Sequence, residues 1–187
     1  MANVIGRTGN AAPFPTSETV GTSVADPKLG SWWVDGDNNV YMVVDCQEAF
    51  VAGEPVYIDN SNLAIQLTNG VQGRVGIIVA SVSASDTKAY ALIYGSYAGS
   101  AGTSAVSTSR FLTQVATTDM GAFGAVDSSG TGEIVYNAWA VTAAASDTTS
   151  PPSSFVNAAG TSTTNIGFTV FLNFAYVLGT ANMSGTS

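Results

Sequence analysis

Apolar positions in this chain come in short runs, most of them too brief for a helix and bounded by turn-forming residues. Between Glu48 and Tyr97, the segments Val56–Ile58, Leu63–Leu67, Val75–Val82 and Ala89–Tyr94 are rich in β-branched and aromatic side chains. Asp59-Asn60-Ser61-Asn62, Asn69-Gly70 and Ser83-Ala84-Ser85-Asp86 separate them, residues that supply positive φ or side-chain-to-backbone hydrogen bonds at tight turns. Upstream, Ser31–Val44 sets two apolar runs around Asp35-Gly36-Asp37, a hairpin signal. Downstream, Phe111–Val115, Gly121–Val126 and Ile134–Val141 read as further strands. The clearest strand is the last, where Phe168, Val170, Leu172, Phe174, Tyr176 and Leu178 alternate strictly and predict one wholly apolar face. No long segment combines helical periodicity with caps, so the expectation is an all-β chain, helix below about 15%, built as a small β-barrel or sandwich.

Organisation follows from what interrupts the pattern. Residues 1–30 scatter glycine and proline through small polar residues and predict an extended arm that orders on contact with another surface. Val4, Ile5, Phe14 and Val20 are its candidate anchors. A β-barrel unit is expected over 31–97, a linker or loop over 98–109, and a second β-unit over 110–187. Ala84-Ser85-Asp86-Thr87 recurs as Ala145-Ser146-Asp147-Thr148, each copy lying between two apolar runs, which raises a duplicated unit as a possibility to test.

Charge narrows the function classes. The five Lys and Arg are outnumbered by thirteen Asp and Glu, giving a net charge of −8. A phosphate backbone requires clustered cations, so no nucleic-acid partner and no anionic membrane surface are expected. From Thr148 to Ser187 there is no Asp, Glu, Lys or Arg, and such a surface invites cover by a partner or another subunit. No basic-then-apolar leader opens the chain and no apolar run reaches about 18 residues, so cytoplasmic synthesis without a membrane span is expected.

Candidate chemistry is sparse. The chain has no histidine and a single cysteine, Cys46, which removes imidazole-based triads, imidazole metal sites and intrachain disulfides. Asp35, Asp37 and Asn39 begin like a calcium-binding loop, but Val40 and Cys46 stand where that loop needs Gly and Glu. Neither enzymatic activity nor a cofactor is expected. Trp32, Trp33, Trp139 and the seven tyrosines could serve as stacking platforms.

The succession Ala-Phe-Val-Ala-Gly-Glu-Pro-Val-Tyr-Ile-Asp from Ala49, Gly-Arg-Val-Gly-Ile-Ile-Val-Ala-Ser from Gly73 and Tyr-Ala-Leu-Ile-Tyr-Gly from Tyr90 resembles the small β-barrel of tailed-phage capsid decoration, or cement, proteins. The shared pattern is an Ala-Gly-x-x-Val step into a strand, a glycine-flanked second strand and a closing strand ending in glycine. It covers Glu48 to Tyr97, and more loosely Ser107 to Val177. Since the lambda-type protein is shorter, the second half is either a duplicated barrel or a different addition. The resemblance implies a virion protein, made in the host bacterial cytoplasm, that binds the outer surface of the assembled major capsid protein and stabilises the shell. It also implies a homotrimer. The other reading is a receptor- or carbohydrate-binding module of a virion fibre or cell-surface appendage, for which exposed Trp32 and Trp33 would be the stacking surface.

Overall fold

The computed structural model describes residues 28–67, 70–82, 87–102, 111–114, 123–125, 134–141 and 166–178. They form β1 (Trp32–Val34), β2 (Val40–Cys46), β3 (Pro55–Ile58), β4 (Leu63–Gln66), β5 (Gly73–Ile78), β6 (Thr87–Gly102), β7 (Phe111–Gln114), β8 (Phe123–Ala125), β9 (Ile134–Ala140) and β10 (Ile166–Val177). The class is all-β, with no helix among the described residues.

The strand pairings close two rings. In the first, β2 pairs in parallel with β4, β4 antiparallel with β3, β3 with β5, β5 with β6, and β6 back with β2. In the second, β6 pairs in parallel with β8, β8 antiparallel with β7, β7 with β9, β9 with β10, and β10 back with β6. The second circuit repeats the first strand for strand, including its single parallel pairing. The last strand of one unit is the first strand of the next. The repeated Ala-Ser-Asp-Thr stretches precede the equivalent strands β6 and β10, although residues 84–86 and 145–148 themselves lie outside the described residues.

Each ring encloses its own core. Met42, Val44, Cys46, Phe50, Val56, Ile58, Ala64, Ile78, Ala89, Ala91 and Ile93 fill the first. Val75, Ile77, Leu92, Phe123, Val135, Ala138, Ala140, Val170, Leu172, Ala175 and Val177 belong to the second, together with Leu67. β5 and β6 therefore serve both cores: Ala91 and Ile93 point one way and Leu92 the other. A strand buried on both faces reads as a continuous apolar run, and this is why Val75-Gly76-Ile77-Ile78 and Ala91-Leu92-Ile93 do not alternate.

Three boundaries depart from expectation. The proposed linker over 98–109 begins inside β6, which runs on to Gly102 because its far end pairs with β10 and β8. The division into 31–97 and 110–187 thus cuts through a strand that belongs to both units. Lys28–Gly30, placed at the end of the expected arm, is a turn of the folded body, with Gly30 N–H donating to Val43 O at 2.8 Å and Ser31 N–H to Lys28 O at 3.0 Å. Residues 1–27 lie outside the described residues.

The most consequential correction concerns β10. Its apolar face is not Phe168 through Leu178 in strict alternation. Val170 and Leu172 point inward, but so do Ala175 and Val177, whereas Phe174, Tyr176 and Leu178 are exposed. A bulge at Asn173–Phe174 moves the alternation by one residue, with Phe174 at φ 50° and the register against β9 slipping between Leu172 and Tyr176. Asn137, facing the slip on β9, also takes positive φ, 60°. The bulge lies where β10 leaves β6 after Asn173 and joins β5 at Tyr176. One strand changing neighbours must bend, and the bend sets two aromatic rings on the surface.

Candidate functional site

Short β1 sets Trp32 and Trp33 on opposite faces, since strand side chains alternate. Trp33 is half-buried against Tyr41, ring centroids 5.2 Å apart. Trp32 is turned outward, 40% exposed, and stacks on Phe174, itself 41% exposed, at 5.7 Å and 29°. From there the rings continue without a break. Phe174 lies against Tyr94 at 5.4 Å, Tyr94 meets Phe171 edge-on at 5.6 Å and 72°, and Phe171 stacks on Trp139 at 5.0 Å. Five rings from β1, β6, β9 and β10 make one ribbon. Each such pair contributes about 0.5–1.5 kcal/mol beyond area burial, so the ribbon is a rigid surface.

Along β9 and β10 its surroundings are polar but uncharged. Exposed Ser96 is opposite Phe171 in the register and exposed Asn173 is opposite Tyr94. Neither β9 nor β10 contains a charged residue. A second stacked pair, Tyr136 with Tyr176 at 5.3 Å and 16°, continues the aromatic character along the same two strands.

A hydrogen-bond knot presents the Trp32 end. The Asp35 carboxylate accepts from Asp37 N–H (2.9 Å), Asn39 N–H (2.9 Å), Asn39 Nδ2 (2.8 Å) and the Tyr41 hydroxyl (2.8 Å). Ser96 N–H in turn donates to Asn39 Oδ1 at 3.1 Å, tying the β1–β2 turn to β6. Burial works against the charge on Asp35, but the bonds from Asn39, Tyr41 and Asp37 outweigh it and hold its carboxyl below the ordinary value of 3.8. Burial and then Asp35 push the Tyr41 phenol upward. The run that began like a calcium loop is thus a hairpin turn whose first carboxylate is engaged by protein donors. Because the folded pKa of Asp35 is depressed, its contribution is present at neutral pH. It is lost as pH falls below about 4 through the folded value. Asp35→Ala is expected to abolish that acid-side loss while lowering stability at pH 7, a comparison that urea titrations at pH 7 and pH 3 can make.

Other chemistry is scant. Among the described residues no group of three or more Asp, Glu or Cys side chains gathers as a metal site would require. Cys46 is fully buried, and burial, with Asp45 and Glu48 nearby, pushes its thiol up to about 12, so it stays protonated and unreactive. No helix of the described residues is long and apolar enough to cross a membrane.

Of the residues singled out from sequence, Trp32 heads the ribbon, Trp33 packs behind it, and Trp139 closes its far end. Val4, Ile5, Phe14 and Val20 lie outside the described residues. Tyr94, Phe171 and Phe174 join the ribbon without having been singled out individually. A trace of them was present in the sequence, since Phe171 and Phe174 fall on both sides of a simple alternation and cannot all be core. Comparison with known proteins leaves the site to be read on its own geometry: no protein-family model, no curated protein and no solved structure matches the chain.

Proposed function

We propose that this is a structural virion protein that decorates the outer surface of an assembled capsid and stabilises it by protein contact, with the aromatic ribbon as part of the contact face. The observation that carries this reading is the pre-arranged aromatic row Trp32–Phe174–Tyr94–Phe171–Trp139, exposed at its Trp32–Phe174 end and half-buried beyond it. Rigid aromatics concentrate binding energy at protein interfaces because they bury much area and lose little conformational freedom. The barrel resemblance over Glu48 to Tyr97 supplies the class of partner, the major capsid protein, and the homotrimeric assembly. The apolar residues of the arm, Val4, Ile5, Phe14 and Val20, would add a second hold in this reading, extended along a strand edge of the shell.

The test is binding of the purified protein to undecorated particles. Trp32→Ala combined with Phe174→Ala should weaken binding by about thirtyfold or more, the loss of about 2 kcal/mol expected of an interface hot spot. Deleting residues 2–25 should leave a folded body that decorates poorly. Unchanged saturation by the double variant, with native circular dichroism, would remove the ribbon from the contact face.

A second reading is favoured by one observation: Trp32 and Phe174 are both flat and exposed, with the neutral, exposed Asn173 next to Phe174, as a saccharide platform would be. A glycan array separates the two. Specific glycan binding that disappears with Trp32→Ala, together with no binding to particles, selects the saccharide module.

A further inference from the structure

Away from the ribbon, one end of the first barrel is closed by the loop joining β2 to β3. Phe50 in this loop is 1% exposed and belongs to the first core. It is held by a reciprocal pair of bonds, Phe50 N–H to Val82 O at 3.0 Å and Val82 N–H to Phe50 O at 2.9 Å. Gly53 N–H donates to Ile78 O at 2.7 Å, Ile78 N–H to Glu54 O at 3.0 Å, and Ala52 N–H to Ser81 Oγ at 3.0 Å. These contacts seat the loop as a plug. Its inner wall, however, carries a carboxyl group. Glu54 is 1% exposed, and among the described residues its side chain accepts from Val51 N–H (3.0 Å) and Gln66 Nε2 (3.1 Å). Gln66 also donates its backbone N–H to Glu48 Oε1 at 2.7 Å, so one glutamine bridges two carboxyl groups.

We propose that this loop is a pH-operated plug, seated while Glu54 is protonated and loosened from the barrel end when that buried carboxyl must give up its proton. Among the described residues no cation acts on it. The charged group acting on it is Glu48, of the same sign and on the same loop. β4 meets it with neutral Gln66, β5 with the Ile78 backbone, and the 79–82 turn contributes the Ser81 hydroxyl to the loop. β2 brings the buried Cys46 thiol to the same core. Asp45 and Lys88 are opposite each other in the register, on the face of β2 and β6 alternate to inward-pointing Cys46 and Ala89. An ionised Glu54 would thus stand in an apolar wall with two donors, and a charge so placed is relieved by reaching water.

The sign and the window follow from linkage. Burial raises the Glu54 carboxyl from 4.5 to about 7, with Glu48 adding to the shift and the bonds from Val51 and Gln66 opposing it. A loop opened to water returns the carboxyl to its ordinary value. Opening is therefore weakest below about pH 4.5, rises up to tenfold per pH unit to about 7, and is level above that, a total change on the order of a hundredfold.

Amide hydrogen exchange, corrected for intrinsic rates, tests this on the full chain at pH 5 and pH 7.5. Protection at Phe50, Gly53 and Val82 should fall on the order of a hundredfold between the two in the wild type, while Glu54→Gln holds its low-pH protection at both. Glu48→Gln should shift the change to lower pH. Equal slopes in the wild type and Glu54→Gln overturn the proposal. Should Glu54→Gln fail to fold, the carboxyl ¹³C titration of Glu54 in the wild type decides: a midpoint near 7 supports the plug, and one near 4.5 overturns it.

Discussion

Replacing Gly95 with valine is expected to destabilise the protein by about 3–5 kcal/mol, and to disturb the ribbon with it. Gly95 sits in β6 between Tyr94 and Ser96 at φ +116°, and a Cβ there would fall on the Asn39 side chain. Strain at such a φ costs a side-chain-bearing residue about 1–3 kcal/mol. Asn39 must also leave, giving up its bonds to Asp35 Oδ2 and from Ser96 N–H, at about 0.5–1.5 kcal/mol each. With Asn39 displaced, the tie between the β1–β2 turn and β6 is cut, and Trp32 loses the support that sets it against Phe174. Gly70 is the control. It has φ +87° and nothing within reach of a Cβ, so Gly70→Ala should carry the conformational strain alone, about 1–2 kcal/mol. Thermal and urea unfolding of the two variants measure the difference. If Gly95→Val falls within 1 kcal/mol of Gly70→Ala, the Asn39 knot carries little of the stability.

The strands β3, β4, β5, β7 and β9 were legible because local pattern suffices for them: a short β-branched run between turn residues has few other fates. The pairing between them was not. Nothing local in Thr87–Gly102 says that one strand closes two rings, and the small polar residues Ala98–Gly102, taken for a linker, are strand because β10 and β8 hydrogen-bond to them. Their composition would suit either state, so tertiary partners decide it.

The aromatic ribbon was half legible for a related reason. Tryptophans side by side at Trp32 and Trp33 must point to opposite faces if they are strand, so one of them faces away from any given core. Which one is outward depends on register, and register is a long-range property. Phe174 and Tyr176 were read as core because alternation extrapolates from Val170 and Leu172. A bulge resets that phase, and no residue type in Asn173-Phe174-Ala175 demands one. The cause is the handover of β10 from β6 to β5, visible only when the two rings are seen together. Glu54 illustrates the opposite case. It sits in an ordinary-looking Gly-Glu-Pro step, and only the closing of the barrel reveals that its carboxyl is inside.

Truncating either side of the shared wall is expected to bring down both barrels together. Ile93→Ala removes buried volume from the first core and Leu92→Ala from the second, although the two are adjacent in β6. Each should cost about 2–5 kcal/mol, as large-to-small changes at fully buried sites do. A protein of two independent barrels would respond locally, losing only the barrel that was cut. Here the barrels cannot part without exposing what β5 and β6 bury on the second side. Val75, Ile77 and Leu92 alone are worth roughly 5–9 kcal/mol at about 1.5–3 kcal/mol per fully buried side chain. That is comparable to the whole stability of a typical domain, about 5–15 kcal/mol. A second bond between the rings, β10 pairing with β5 through Tyr176–Arg74 and Val177–Gly73, adds to the coupling. Unfolding should accordingly be a single transition in the wild type and in both variants, with tryptophan fluorescence and far-ultraviolet circular dichroism sharing a midpoint. Amide exchange should show the same loss of protection in β3 and in β9 for Ile93→Ala. Two separated transitions, or β9 protection unmoved by Ile93→Ala, would show that the shared strand joins the barrels in space without joining their stabilities.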